Sequence, residues 1–269
     1  GIARLDAGTA EVTVAAGSTF FFIQHAIDPL GLLLPCRPTN SFGTVGGWAS
    51  AGGVGLGSMG SGPLRDHVRR LEVVRPGGEL QVLTPDDDGF EDLFDTEGQL
   101  GIIASLTVAL RHDDGSGVVG VVFDDLAAAA GYVGRLFDEQ RRPSTVLLAG
   151  HTHELERCEG APEGEVLLMD VPAGWTPPDP GEYGAKPLPA GSTTWLWSRR
   201  FFPMDNPMGP VFLASEALMP LDKASAFVDR ARALCGRYGV PMHAHCHAVS
   251  GDAEPAILVL IIFPVDPSE

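Results

Sequence analysis

Nine glycines fall between Gly43 and Gly62, and no other segment constrains the fold as tightly. Glycine enters left-handed backbone conformations at no steric cost and lets the main chain approach a neighbour or a ligand closely. Val45, Trp48, Val54, Leu56 and Met59 punctuate the run. A flexible tether favours Gly and Ser without ordered apolar residues, so this segment reads as packed structure. Successive amides in such a loop form anion-binding nests suited to phosphate. Gly55-x-Gly57-x-x-Gly60 matches a dinucleotide fingerprint by its letters alone. No apolar strand precedes it and Pro63 stands where a helix should be running, which excludes that reading. No Gly-Lys-Ser/Thr occurs, so a P-loop is excluded too.

Around this loop the chain alternates between two periodicities. Residues 11–14 predict a strand, and a helix capped by Ser18 carries Phe21, Phe22, Ile23, Ala26, Ile27 and Leu30 until Gly31 ends it. Residues 68–74 and 79–83 predict a hairpin around Pro76-Gly77-Gly78. A short helical piece at 92–94 and a strand at 102–110 follow. The polar, glycine-bearing stretch 112–117 predicts a boundary between domains at 1–113 and 118–269. Beyond it, strands are expected at 118–123, 145–149, 165–171, 193–198, 211–219, 242–248 and 256–263. Two amphipathic helices are expected among them, one capped by Asp124 and covering 126–140, the other starting at Asp222 and stopped by Gly239. Strands that return around such helices predict an α+β fold.

Composition narrows the partners. With 18 Lys+Arg against 35 Asp+Glu, the formal charge is −17, which argues against nucleic acid or an acidic membrane surface. An apolar fraction of 44% supplies a core. The longest apolar run, 256–263, is far short of the ~20 residues that a membrane-spanning helix needs. Cys36, Cys158, Cys235 and Cys246 lie far apart with no CxxC, which suggests reduced thiols and a cytoplasmic location.

Read together, several motifs resemble one family. Leu34-Pro35-Cys36-Arg37-Pro38 is followed by Ser41-Phe42-Gly43-Thr44-Val45-Gly46-Gly47-Trp48-Ala49 and then Gly52-Gly53-Val54-Gly55-Leu56-Gly57-Ser58. Next come Gly62-Pro63-Leu64-Arg65-Asp66-His67-Val68 and, further on, Glu97-Gly98-Gln99-Leu100-Gly101-Ile102-Ile103. This order resembles the flavin-binding core of the vanillyl-alcohol oxidase superfamily, FAD-linked enzymes of the glycolate oxidase and D-lactate dehydrogenase kind. The resemblance is dense from about residue 11 to 111 and looser beyond. It implies the second subdomain of a PCMH-type FAD-binding domain, followed by an α+β substrate or cap domain with an antiparallel sheet. Relatives carry an earlier FAD subdomain before the strand at 11–14. The expectation is therefore a piece of a longer protein, or a split or degenerate member that another chain completes.

The resemblance also implies roles. Ser41, Thr44, Val45, Gly46 and Gly47 would wrap the FAD pyrophosphate and flavin edge with backbone donors. Gly52, Gly53, Gly57, Ser58 and Gly62 would continue the cradle, and Gly101, Ile102 and Ile103 would line it from the far strand. The expected reaction is oxidation of a small 2-hydroxy acid or related alcohol, with hydride passing to the flavin and electrons leaving to an undetermined acceptor. Two alternatives stay open: a truncated or non-catalytic relative, and a metal-dependent enzyme.

The metal reading rests on His243, His245 and His247, which alternate and would share one strand face. Three imidazoles on a face could ligate a transition metal. The family reading instead makes His245 and His247 candidates for substrate binding or acid–base work, with Arg200 as a partner for a substrate carboxylate. No metal is assigned. His151 and His153 read as a polar turn, and Trp195 and Trp197 as core residues of a strand.

Overall fold

A computed structural model describes residues 1–149, 163–199, 212–250 and 254–264. The chain divides into two units, residues 1–114 and 115–269.

In the first unit β1 (Ile2–Asp6), β2 (Glu11–Ala15), α1 (Phe20–Ile27), β3 (Leu32–Leu33), α2 (Val45–Ser50) and α3 (Ser58–Ser61) precede β4 (Val68–Val74), β5 (Leu80–Leu83), β6 (Ile102–Ala109) and β7 (Arg111–His112). Five strands form an antiparallel sheet in the order β1-β2-β6-β4-β5, and β3 pairs with β7. The period of two decides which face is dry: Val12 and Val14 are buried, while Glu11 and Thr13 point to the other side. Phe20, Ile23 and Ile27 recur at helical spacing on α1 and complete this core with Leu71, Val73, Leu106 and Val108. Each such side chain, fully buried, contributes about 1.5–3 kcal/mol. The cap of α1 is Thr19, whose hydroxyl accepts from the Phe22 N–H at 3.3 Å. Ser18, the expected cap, is buried instead and donates to the Gly1 carbonyl.

In the second unit β8 (Gly117–Phe123), α4 (Leu126–Phe137), β9 (Thr145–Ala149), β10 (Glu165–Val171), β11 (Lys186–Pro187), α5 (Ala190–Arg199), β12 (Phe212–Pro220), α6 (Ala224–Arg237), β13 (His243–Val249) and β14 (Ala256–Pro264) follow in order. Among the described residues seven strands form one antiparallel sheet, ordered β11-β8-β10-β9-β13-β14-β12. The mixture of helices and antiparallel sheets is the α+β class that the periodicity predicts.

Pleating assigns the helices to faces. Tyr132 of α4 packs on Phe123, and Arg232 of α6 pairs with Glu165 at 2.6 Å, so these helices share the face of Phe123 and Glu165, which are cross-strand partners. Leu196 of α5 packs with Val122, Val166, Leu168 and Leu147 on the opposite face. Residues 193–198 are therefore helical, contrary to the expected strand. Thr193 and Leu196, one turn apart, are both buried, and Gly120 leaves room for Thr193 and Leu188. Trp195 and Trp197 flank the same cluster from a helix, each partly buried, rather than sharing a strand face.

The cap of α4 is Asp125, which accepts from the Ala128 N–H at 2.8 Å, and not the expected Asp124. Asp125→Ala should cost about 1 kcal/mol in the second unit, the usual loss of a carboxylate cap. Asp124 makes only an exposed 3.7 Å contact with Lys186, so Asp124→Ala should stay within about 0.5 kcal/mol. Paired urea titrations read the difference, and equal losses would place the cap wrongly.

Candidate functional site

The glycine segment is ordered by its own packing. Gly57 has φ +93°, and a methyl there would run into the Pro35 carbonyl oxygen. Gly53 has φ +67° and lies under Leu64, whose N–H donates to the Gly53 carbonyl at 2.8 Å. Gly52 (φ +102°) faces the Asp95 carboxylate, which in turn meets Arg65 at 3.4 Å. The Glu97 N–H donates to the Ser50 carbonyl at 2.9 Å. These contacts bring together three stretches that the sequence holds apart: the glycine run, the segment around Arg65, and the turn before Gly101. Asp95 (φ +58°) and Glu97 (φ +53°) occupy left-handed conformations without being glycine. Such residues cost about 1–3 kcal/mol each and cluster where function holds the backbone. Sequence reasoning missed both; the single signal for them was the Glu97-Gly98 pair at a turn.

The structure separates outward-facing cradle residues from internal ones. Thr44 and Gly47 are exposed and Ser41 is half-buried. Thr44 caps α2 by position, yet its side chain makes no capping bond. Val45 and Gly46 differ: their N–H groups already donate to the Ser18 and Ala16 carbonyls at 2.9 Å. Those two amides are therefore engaged within the fold, and Gly46 lacks a side chain where Ala16 stands against it. Ser58 is also internal. Its hydroxyl accepts from the Gly55 N–H at 2.9 Å and lies 2.9 Å from the Cys36 thiol, which burial pushes up to about 12. Gly52, Gly53, Gly57 and Gly62 are buried. On the far strand Gly101 is closed in by Val73, and Ile103 is core at 5% exposure, whereas Ile102 stands out at 69%. Of that trio Ile102 alone has a side chain free to form an apolar wall.

The second cluster lies on β13. His245 and His247 share the face occupied by α5, because His245 pairs with Ala149 and His247 with Leu147. Their rings are 5.4 Å apart. His247 is 5% exposed, and its Nδ1, like the Nε2 of His245, is out of solvent with no hydrogen-bond partner. Burial lowers the His245 pKa to about 4. Burial, and then the neighbouring His245, lowers that of His247 to about 3. Both rings are neutral near pH 7 and each holds a nitrogen with unspent hydrogen-bonding capacity. Such a pair can orient a hydroxyl or carboxylate and exchange a proton with it. Among the described residues no three His, Cys, Asp or Glu side chains gather as a metal set. Arg200, His151 and His153 lie outside the described residues. Among the described residues no helix is long and apolar enough to cross a membrane.

Residues 1–84 match a family model described as an FAD binding domain. Decaprenylphosphoryl-beta-D-ribose oxidase of Mycolicibacterium smegmatis is 33% identical over 112 residues, 40% of this chain and 24% of that protein. D-lactate dehydrogenase of Anaerostipes hadrus is 38% identical over 104 residues, 36% of this chain and 22% of that protein. Alkyldihydroxyacetonephosphate synthase, solved in two crystal forms, superposes on 100% of this chain and on 60% and 58% of its own, with TM-scores of 0.72 and 0.71 at 14% identity. The matched segment is about a quarter of either curated relative, and the likeness to the synthase is one of fold.

Proposed function

We propose that this chain, whose residues 1–84 match a model of an FAD binding domain, is part of an FAD-dependent oxidoreductase of the PCMH-type kind acting on a small 2-hydroxy acid or related alcohol. The observation that carries the reading is the cradle: a glycine segment locked against the Asp95–Gly101 turn, with Ser41, Thr44, Gly47 and Ile102 left outward. These residues fit a flavin cofactor. Main chain without Cβ atoms permits close approach, the Thr44 hydroxyl and nearby amides supply neutral donors, and Ile102 supplies an apolar surface. Gly52, Gly53, Gly57 and Gly62 hold that surface in shape from below. A diphosphate held by oriented amides needs few cations, which suits a chain this acidic.

Bound FAD would supply the hydride acceptor. The chain's own part would be to hold the substrate. His245 and His247 offer buried neutral nitrogens that would bind the hydroxyl and take its proton, and Arg200 would pair with a carboxylate. The substrate class draws on the name of the D-lactate dehydrogenase relative. The electron acceptor and a chain supplying the first FAD subdomain would be the partners. A cytoplasmic location is part of the same reading.

A second reading, a truncated or non-catalytic flavin-domain relative that binds flavin poorly or not at all, is favoured by the engaged amides of Val45 and Gly46. One experiment separates the two. The purified chain is mixed with FAD, desalted, and scanned for the flavin band, then given D-lactate, glycolate and 2-hydroxyglutarate without oxygen. Retained yellow colour that one of these acids bleaches is expected. Retained colour that none of them bleaches would remove the substrate class, and colourless protein would favour the second reading.

A further inference from the structure

The outer face of the five-stranded sheet carries one rung unlike its neighbours. Arg4, Thr13, Thr107 and Arg70 lie directly opposite one another across β1, β2, β6 and β4. The two threonine hydroxyls meet at 2.9 Å in the middle, with a guanidinium at each end. Both arginines sit beside an irregularity in the ladder, between Ile2 and Arg4 on β1 and between Val68 and Arg70 on β4. Each inserts one extra residue. Such bulges re-aim side chains and are over-represented next to binding sites. On β4 the bulge brings Arg69 onto the same cavity as Arg70. The cavity holds about 390 Å³ and has Arg4, Arg69, Arg70, Thr13 and Thr107 among its walls.

The charges there are unequal in availability. Among the described residues Arg69 donates only to the Asp66 carbonyl, at 3.2 Å, and pairs with no carboxylate. Asp6 and Glu11 also line the cavity. Asp6, however, is already bound by the N–H groups of Gly8 and Thr9 and by Arg4, which hold its carboxyl below the usual range. Glu72 is likewise spent on Arg70 and Ser105. Three guanidiniums on one cavity are a concentration of positive charge in a chain with only 18 Lys+Arg.

We propose that this rung binds a phosphate group, either inorganic phosphate or the head of a small phosphoester. Arg69 supplies the uncommitted charge-assisted donor, Arg4 and Arg70 supply the N–H groups their carboxylates leave free, and the threonine pair donates from the floor. The site belongs to the outer face of the sheet and does not depend on the flavin reading.

Calorimetric titration of the whole chain with inorganic phosphate and with ribose 5-phosphate tests it, against chloride at matched ionic strength and with saturating FAD present. Saturable binding beyond chloride is expected. Arg69→Gln should weaken it about tenfold and Thr13→Val with Thr107→Val about threefold, while FAD retention stays unchanged. Binding of phosphate alone assigns the free ion, and binding of both assigns the ester head. Absence of saturation, or an isotherm that Arg69→Gln leaves intact, overturns the site.

Discussion

Gly57→Ala is expected to destabilise the first unit by about 3–5 kcal/mol, enough to unfold much of it at ambient temperature. Two costs combine. At φ +93° an L-residue pays about 1–2 kcal/mol for the left-handed backbone alone. The new methyl also meets the Pro35 carbonyl, which is main chain and cannot rotate away. Gly78→Ala is the control. It has a similar φ of +88° but no atom within 4 Å of the added methyl, so it should lose only about 1 kcal/mol. Hydrogen exchange read by peptide mass resolves the first unit separately from the second. FAD retention should fall with the same transition, because Gly57 holds the cradle without facing outward. If the two variants lose stability equally, Gly57 serves a conformation and not a close approach, and the packed cradle is wrong.

What the sequence made legible follows from how local each signal is. The hairpin around Pro76-Gly77-Gly78 needs only its own residues, and it forms with Gly78 at φ +88°. The histidine alternation on β13 is likewise a property of one strand, and the three positions do share a face. The glycine segment was legible as packed, because apolar residues interrupt it. Its two short helices were not. Gly46 and Gly47 are poor helix formers, and α2 is held by burial of Val45 and Ala49 and by the fit of Gly46 against Ala16. Both cap assignments missed by one residue, since Ser18-Thr19 and Asp124-Asp125 each offer two competent caps in a row. Residues 193–198 failed for a different reason. Trp195-Leu196-Trp197 mimics strand alternation, and only the sheet beneath shows that Thr193 and Leu196 are the inward pair. The arginine rung was invisible because its members come from four strands and two bulges. No linear pattern encodes that.

The histidine face carries the second large expectation, an acid sensitivity of the second unit. An unperturbed imidazole titrates near 6.5, whereas His245 and His247 in the folded unit titrate at about 4 and about 3. The unfolded chain therefore takes up protons first. The stability gained by keeping both rings neutral is whole above about pH 6.5 and is lost progressively down to the folded values. Each ring contributes a slope of about 1.4 kcal/mol per pH unit across that window, so two pH units and two rings remove roughly 5 kcal/mol as an upper bound. Glu216, on the exposed strand β12, acts with the opposite sign. Partial desolvation of its carboxyl raises its pKa, so acidification relieves a penalty there and softens the loss. His247→Leu should keep the fold, since its rung neighbours Leu147 and Leu258 are apolar, and should roughly halve the slope between pH 6.5 and 4.5. Urea midpoints of second-unit peptides, measured at half-unit pH steps, give that slope directly. A slope unchanged by His247→Leu would mean that the ring is solvated and titrates normally. The two buried nitrogens would then not be held ready for a substrate, and the acid–base part of the proposed chemistry would fail with them.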